Sequence, residues 1–134
     1  MTDPAPIKVL LIEDSPADAR LIELMLADAP GLEFEFGWVD NLTHGIARLR
    51  SSPLDVDVVL LDLGLPESSG LDTLQRLLAH SSDVPTLVVL SGLTDEGIAV
   101  QALQSGAQDY LVKGQVDSAL LVRAIRYAIG RSQA

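Results

Sequence analysis

Two short apolar runs, Val58-Val59-Leu60-Leu61 and Leu87-Val88-Val89-Leu90, constrain this chain more than any other feature. Neither alternates with polar residues, so neither suits a strand with one wet face. Continuous valine and leucine runs of this length mark strands covered on both sides. Such strands belong mid-sheet in a parallel sheet, where each strand needs a crossover of a dozen or more residues, usually helical, to reach the next. The chain supplies those crossovers: strand-like and helix-like patterns alternate from Ile7 to Ile129. That alternation predicts βαβ units and an α/β fold.

The spacing predicts strand 1 over Ile7 to Ile12 and a first helix opening at Ser15-Pro16-Ala17-Asp18. This opening is a capping box with proline at the first helical position, and the helix should stop at Pro30-Gly31. Strand 2 runs from about Glu33 to Val39, where Phe34, Phe36 and Trp38 alternate with Glu33, Glu35 and Gly37 as on a half-exposed edge. Leu42, Ile46 and Leu49 mark helix 2, and Val56 to Leu61 is strand 3. Leu71, Leu74 and Leu78 mark helix 3, followed by strand 4 over Thr86 to Leu90. Ile98, Ala102 and Leu103 mark helix 4, which Gly106 stops; Tyr110-Leu111-Val112 is strand 5, and helix 5 spans about Ser118 to Ile129. Right-handed crossovers and a polar edge strand 2 give a doubly wound, five-stranded parallel sheet of order 2-1-3-4-5 with five helices. With 134 residues, 48% of them hydrophobic, the chain reads as a single domain over 1–134 with its core at about 7–129.

Charge and composition narrow the function classes. The net charge of -10 repels nucleic acid phosphates, and the nine Lys and Arg residues form no basic stripe, so direct nucleic acid binding is not expected. Arg123, Arg126 and Arg131 complement the dipole at the end of helix 5. There is no cysteine, no apolar stretch long enough to span a bilayer, and no basic segment before an apolar one at Met1 to Pro6. A cytoplasmic protein without membrane insertion is the expectation.

In an open parallel sheet, ligands bind in the crevice beyond the carboxyl ends of the strands. Four predicted strands end there in polar groups: Glu13-Asp14, Asp62, Ser91 and Lys113. Each has a plain reading by itself, as a solvated acidic pair before a helix, a turn aspartate, a loop opener and a surface lysine. Their joint placement predicts a shared pocket. The switch point of the order 2-1-3-4-5 lies between strands 1 and 3, which sets Asp14 beside Asp62 on strands about 4.8 Å apart. Carboxylates so placed can share a small hard cation, and magnesium is the natural candidate. His44 and His80 fall on helix surfaces and read as solvated, and Thr94 reads as a helix cap.

The set Glu13-Asp14, Asp62 with Leu65-Pro66 and Gly70, Ser91, Tyr110 and Lys113 resembles the response regulator receiver domain of two-component signalling, a flavodoxin-like fold, from about Ile7 to Ile129. The resemblance implies that Asp62 accepts a phosphoryl group from a histidine kinase, a histidine phosphotransfer protein or a small acyl phosphate. It implies that Glu13, Asp14, Asp62 and the Gly64 carbonyl hold Mg2+, and that Lys113 and Ser91 contact the phosphoryl oxygens. Ser91 and Tyr110 become a switch that repacks the helix 4–strand 5–helix 5 face. That face would serve an unknown downstream protein and is the candidate dimer surface. Such a domain is no enzyme beyond self-phosphorylation and slow self-dephosphorylation.

Two departures from the family pattern carry their own expectations. Gly114 follows Lys113 where the family usually has proline after a cis bond; a non-proline cis bond costs about 2.5–4 kcal/mol, so the expectation is trans, or else a local strain tolerated for function. Gly64 and Leu93, two positions after Asp62 and Ser91, carry no side chain able to orient a water, so the aspartyl phosphate should be long-lived. The chain reads as a stand-alone receiver, with a receiver belonging to a larger regulator or hybrid kinase, and an unphosphorylated pseudo-receiver, as the alternatives. An aspartate-nucleophile hydrolase of the haloacid dehalogenase type would want a second aspartate where Gly64 stands.

Overall fold

The computed structural model describes residues 5–51, 55–65, 70–80, 86–92 and 96–132. Strands β1 (Ile7–Ile12), β2 (Phe34–Val39), β3 (Val58–Asp62), β4 (Thr86–Ser91) and β5 (Asp109–Val112) alternate with helices α1 (Pro16–Ala27), α2 (Leu42–Ser51), α3 (Leu71–His80), α4 (Glu96–Ser105) and α5 (Ser118–Ser132). The strands form one sheet in the order β2-β1-β3-β4-β5, and each neighbouring pair is parallel. The expected architecture and order are therefore what the chain adopts.

Strand alternation sorts the core into two halves. Leu10, Ile12, Val59, Leu61, Leu87 and Val89 pack with residues of α2, α3 and α4 on one face. Val9, Leu11, Val58, Leu60, Val88, Leu90 and Leu111 pack with α1 and α5 on the other. Every residue of β3 and β4 is buried, as continuous apolar runs require. The α2 side is tight at one point: a Cβ on Gly45 would lie 2.5 Å from Ile12 Cδ1, so any larger residue there must displace the Ile12 side chain for α2 to seat against β1.

Several boundaries differ from the sequence reading. Helix α1 closes at Ala27 rather than at Pro30-Gly31, with the Asp28 N–H returning to the Leu24 carbonyl at 3.1 Å and the Ala29 N–H to the Leu26 carbonyl at 3.3 Å. Pro30 disfavours helical backbone at residue 29, so the helix must unwind before it. Strand β2 begins at Phe34 rather than Glu33, and Trp38 is 41% exposed instead of packing inward. Strand β3 begins at Val58 rather than Val56, because the Asp57 carboxylate takes the Lys8 N–H at 2.8 Å while the Asp57 N–H bonds the Lys8 carbonyl. At their other ends β3 and β4 each run one residue further than expected, so Asp62 and Ser91 are the last residues of their strands. Pro66, Leu93 and Thr94 lie outside the described residues.

Candidate functional site

The carboxyl edge of the sheet brings together the residues that end its strands. Glu13 follows β1 and is fixed from β2: its N–H donates to the Val39 carbonyl at 3.0 Å, and its own carbonyl accepts from Trp38 Nε1 at 2.7 Å. Thus held, Glu13 points its carboxylate inward and is buried to 1% exposure. Asp62, also buried, stands opposite Leu90 of β4, and its Oδ1 accepts the Gly64 N–H at 3.1 Å. The turn after it is anchored at the Leu63 carbonyl, which accepts from Gly70 N–H at 2.9 Å and from the buried Thr73 hydroxyl at 3.2 Å. Gly70 has φ +58°, a conformation that favours glycine.

Asp14 is exposed, and one oxygen from each of Glu13, Asp14 and Asp62 lies within 4.8 Å of the others, the one such acidic group among the described residues. This donor set fits magnesium. All three are hard carboxylates, and two of them, Glu13 and Asp62, are buried beside one another, where a cation would offset their crowded charge.

Lys113 opens a single 3-10 turn, Lys113–Gln115, directly after β5. No cis peptide bond occurs among the described residues, so the Lys113-Gly114 bond is trans as expected. Its ammonium pairs with Glu13 Oε1, with Asp18 Oδ2 at 3.1 Å and with Asp62 Oδ1 at 3.5 Å. Burial pushes the Glu13 carboxyl up to about 8; hydrogen bonding with Asp62 adds to this, and pairing with Lys113 offsets only part of it. For Lys113, burial acts to lower the value, but pairing with Glu13 and Asp18 outweighs it and raises the ammonium above the ordinary lysine range.

Ser91 is buried at the end of β4, in register with Val112. Alternation returns it to the face that carries Val89, where Tyr110 also packs, half-buried among residues that include Ile98, Ala102 and Ala107. The structure thus gathers Glu13, Asp14, Asp62 and Lys113 in one cluster at the carboxyl edge, and sets Ser91 and Tyr110 on the side of the sheet that faces α4.

A family profile described as the response regulator receiver domain matches residues 9–126. The chain belongs to this family. Receiver domains are the signalling domains of two-component response regulators. This receiver is similar to the transcriptional regulatory protein QseB of Haemophilus influenzae, 39% identical over 108 residues, which cover 80% of this chain and 46% of that protein. It is also similar to a solved response regulator receiver domain protein from Clostridium thermocellum, at 28% identity and a TM-score of 0.79 over 95% of this chain and 97% of the other. The phosphorylated cyanobacterial phytochrome response regulator RcpA matches at 27% identity and a TM-score of 0.69 over 96% of this chain and 93% of the other. The receiver spans less than half the length of the first curated relatives it matches.

Two participants at this edge escape a sequence reading. Trp38 looks like one more aromatic on an edge strand, yet its indole N–H holds the Glu13 carbonyl. Asp18 looks like the acid of a capping box, yet its carboxylate meets Lys113. The one available signal for Trp38 is the polar tip of its side chain, which usually finds a partner. For Asp18 no local signal exists, since its partner is 95 positions away.

Proposed function

We propose that this receiver is a magnesium-dependent phosphoacceptor whose Asp62 takes a phosphoryl group from a histidine kinase or a histidine phosphotransfer protein. The observation that carries the reading is the convergence of buried Asp62 with Glu13, Asp14 and the Lys113 ammonium at the carboxyl edge of the sheet. A similarity to RcpA, a response regulator solved in phosphorylated form, supports it.

In this reading an Asp62 carboxylate oxygen attacks phosphorus in line, an O–P bond forms, and the N–P bond to the donor imidazole breaks, its electron pair staying on nitrogen. Lys113 pairs with a phosphoryl oxygen and the Ser91 hydroxyl donates to another, so charge on the equatorial oxygens is met by fixed groups. Bound through Glu13, Asp14, Asp62 and the Gly64 carbonyl, magnesium would supply the positive charge that lets three acids and a phosphoryl group coexist. Drawing Ser91 toward the phosphoryl group leaves space that the Tyr110 ring fills, which alters the α4–β5–α5 face for a downstream protein or a second receiver. The receiver acts by protein contact rather than by turnover, in the cytoplasm; among the described residues no helix is long and apolar enough to cross a membrane.

Intact-mass measurement after incubation with acetyl phosphate and magnesium tests this directly. The native protein should gain the mass of one phosphoryl group, and Asp62→Asn should gain none while keeping its fold, since an amide is nearly isosteric but a poor nucleophile. Labelling of Asp62→Asn at an unchanged rate would overturn the assignment of Asp62. No labelling of either protein would favour a pseudo-receiver.

A further inference from the structure

Asp18 holds a place in α1 that local rules assign to another task. It is the third residue after the N-cap Ser15, where an acid ordinarily returns to the N-cap N–H. Only half of that box is made. Ser15 Oγ accepts the Asp18 N–H at 3.2 Å, but the Ser15 N–H goes to Glu13 Oε2 at 3.3 Å. The Asp18 carboxylate reaches Lys113 Nζ instead, at 3.1 Å.

This contact differs in kind from the other two on Lys113. Glu13 and Asp62 belong to the acidic trio, so a divalent cation held there draws on the same carboxylates and repels the ammonium. Asp18 stands outside the trio with its side chain 44% exposed, and its charge stays available to Lys113. The backbone adds no constraint on the lysine. Lys113 starts a single 3-10 turn, its bond to Gly114 is trans, and a Cβ at position 114 would meet nothing within 4 Å. Side-chain contacts therefore aim the ammonium, and the one from Asp18 is not shared with the acidic trio.

We propose that Asp18 is a positioning residue that keeps Lys113 over the pocket while the acidic trio is occupied, so that the ammonium meets the incoming phosphoryl group. The inference rests on the phosphoacceptor reading of the same site. A half-exposed ion pair contributes little to global stability, so its effect belongs to the site and not to the fold.

Beryllofluoride, a stand-in for the phosphoryl group, provides the test when titrated in magnesium and followed by backbone amide shifts. Asp18→Asn should weaken its binding about fivefold while leaving the urea midpoint unchanged, and Asp18→Glu should recover most of the loss. In a Lys113→Ala background, Asp18→Asn should have no further effect, because the interaction it removes is already gone. Equal weakening in both backgrounds, or no weakening in the native one, overturns the inference. If Lys113→Ala binds too weakly to titrate, the Lys113 side-chain carbon resonances in the magnesium-loaded protein decide: Asp18→Asn shifts them if Asp18 holds the ammonium and leaves them unmoved if it does not. A native protein that neither binds beryllofluoride nor takes label from acetyl phosphate overturns the phosphoacceptor reading, and this inference with it.

Discussion

Glu13 is the residue whose chemistry is most displaced by its surroundings. Burial raises its carboxyl from the ordinary 4.5 to about 8, so the folded protein binds this proton more tightly than the unfolded chain does. The stability it contributes is complete below about pH 4.5 and is lost as pH rises through about 8. The raised Lys113 value acts only above the ordinary lysine range and leaves that window untouched. With a chelator present, the urea midpoint should therefore fall between about pH 5.5 and about pH 8.5, and Glu13→Gln should flatten the dependence. An equal slope in the variant would locate the titration elsewhere. Gly64 carries the second residue-scale prediction. A Cβ there would stand 3.7 Å from Asp62 Oδ1, so any side chain at 64 flanks the phosphoacceptor. Gly64→Asn combined with Leu93→Glu should orient water and shorten the aspartyl phosphate lifetime about tenfold, an effect of ~1.4 kcal/mol on the barrier. Decay followed by mass after removal of the donor measures this, and equal lifetimes would show that the two positions do not set it.

At the scale of elements, the period of two along each strand divides the labour of the site. Asp62 ends β3 one residue past Leu61, and Ser91 ends β4 one residue past Leu90, so adjacent tips present groups to opposite faces of the sheet. Tyr110 lies on β5 opposite Val89, on the α4 side with Ser91. Formation of the beryllofluoride complex should bury the Tyr110 ring further and shift amides at Ala99, Leu103 and Ala107. The neighbouring Val100 and Leu103 are already about half exposed, so α4 can change its packing at small cost. Amide shifts confined to the loops around Asp14, Asp62 and Ser91 would rule the switch out for this chain.

For the whole molecule the dominant feature is charge. A net -10 on 134 residues repels itself in the compact state, and salt screens that repulsion. Raising ionic strength from about 0.01 M to about 0.15 M should therefore raise the urea midpoint, with a larger rise in chelator than in magnesium, because bound magnesium has already neutralised part of the acidic edge. A midpoint that fell with salt would mean that local ion pairs such as Arg20–Glu23 and Arg76–Asp72 outweigh the net repulsion. The same charge favours partner surfaces that carry basic residues.

The α/β class, the strand order and the gathering of Glu13, Asp14, Asp62, Ser91 and Lys113 at one edge were legible in the sequence. Burial on both faces writes itself as continuous apolar runs, and parallel strands must all end at the same edge. The N-terminus of α1 was legible for a similar reason, because Ser15 and Pro16 act within one turn. Its end was not: Ala27 closes the helix where the restriction from Pro30 and the packing against α5, whose Ser118 hydroxyl holds the Met25 carbonyl at 2.6 Å, agree. Nor could the sequence tell that Trp38 fixes the Glu13 carbonyl, or that Asp18 serves Lys113 rather than its own cap. Local patterns record period and capping, which are properties of a single element. Which side chain meets which is decided only when folding sets two elements side by side, here β2 against the end of β1, and α1 against the turn after β5.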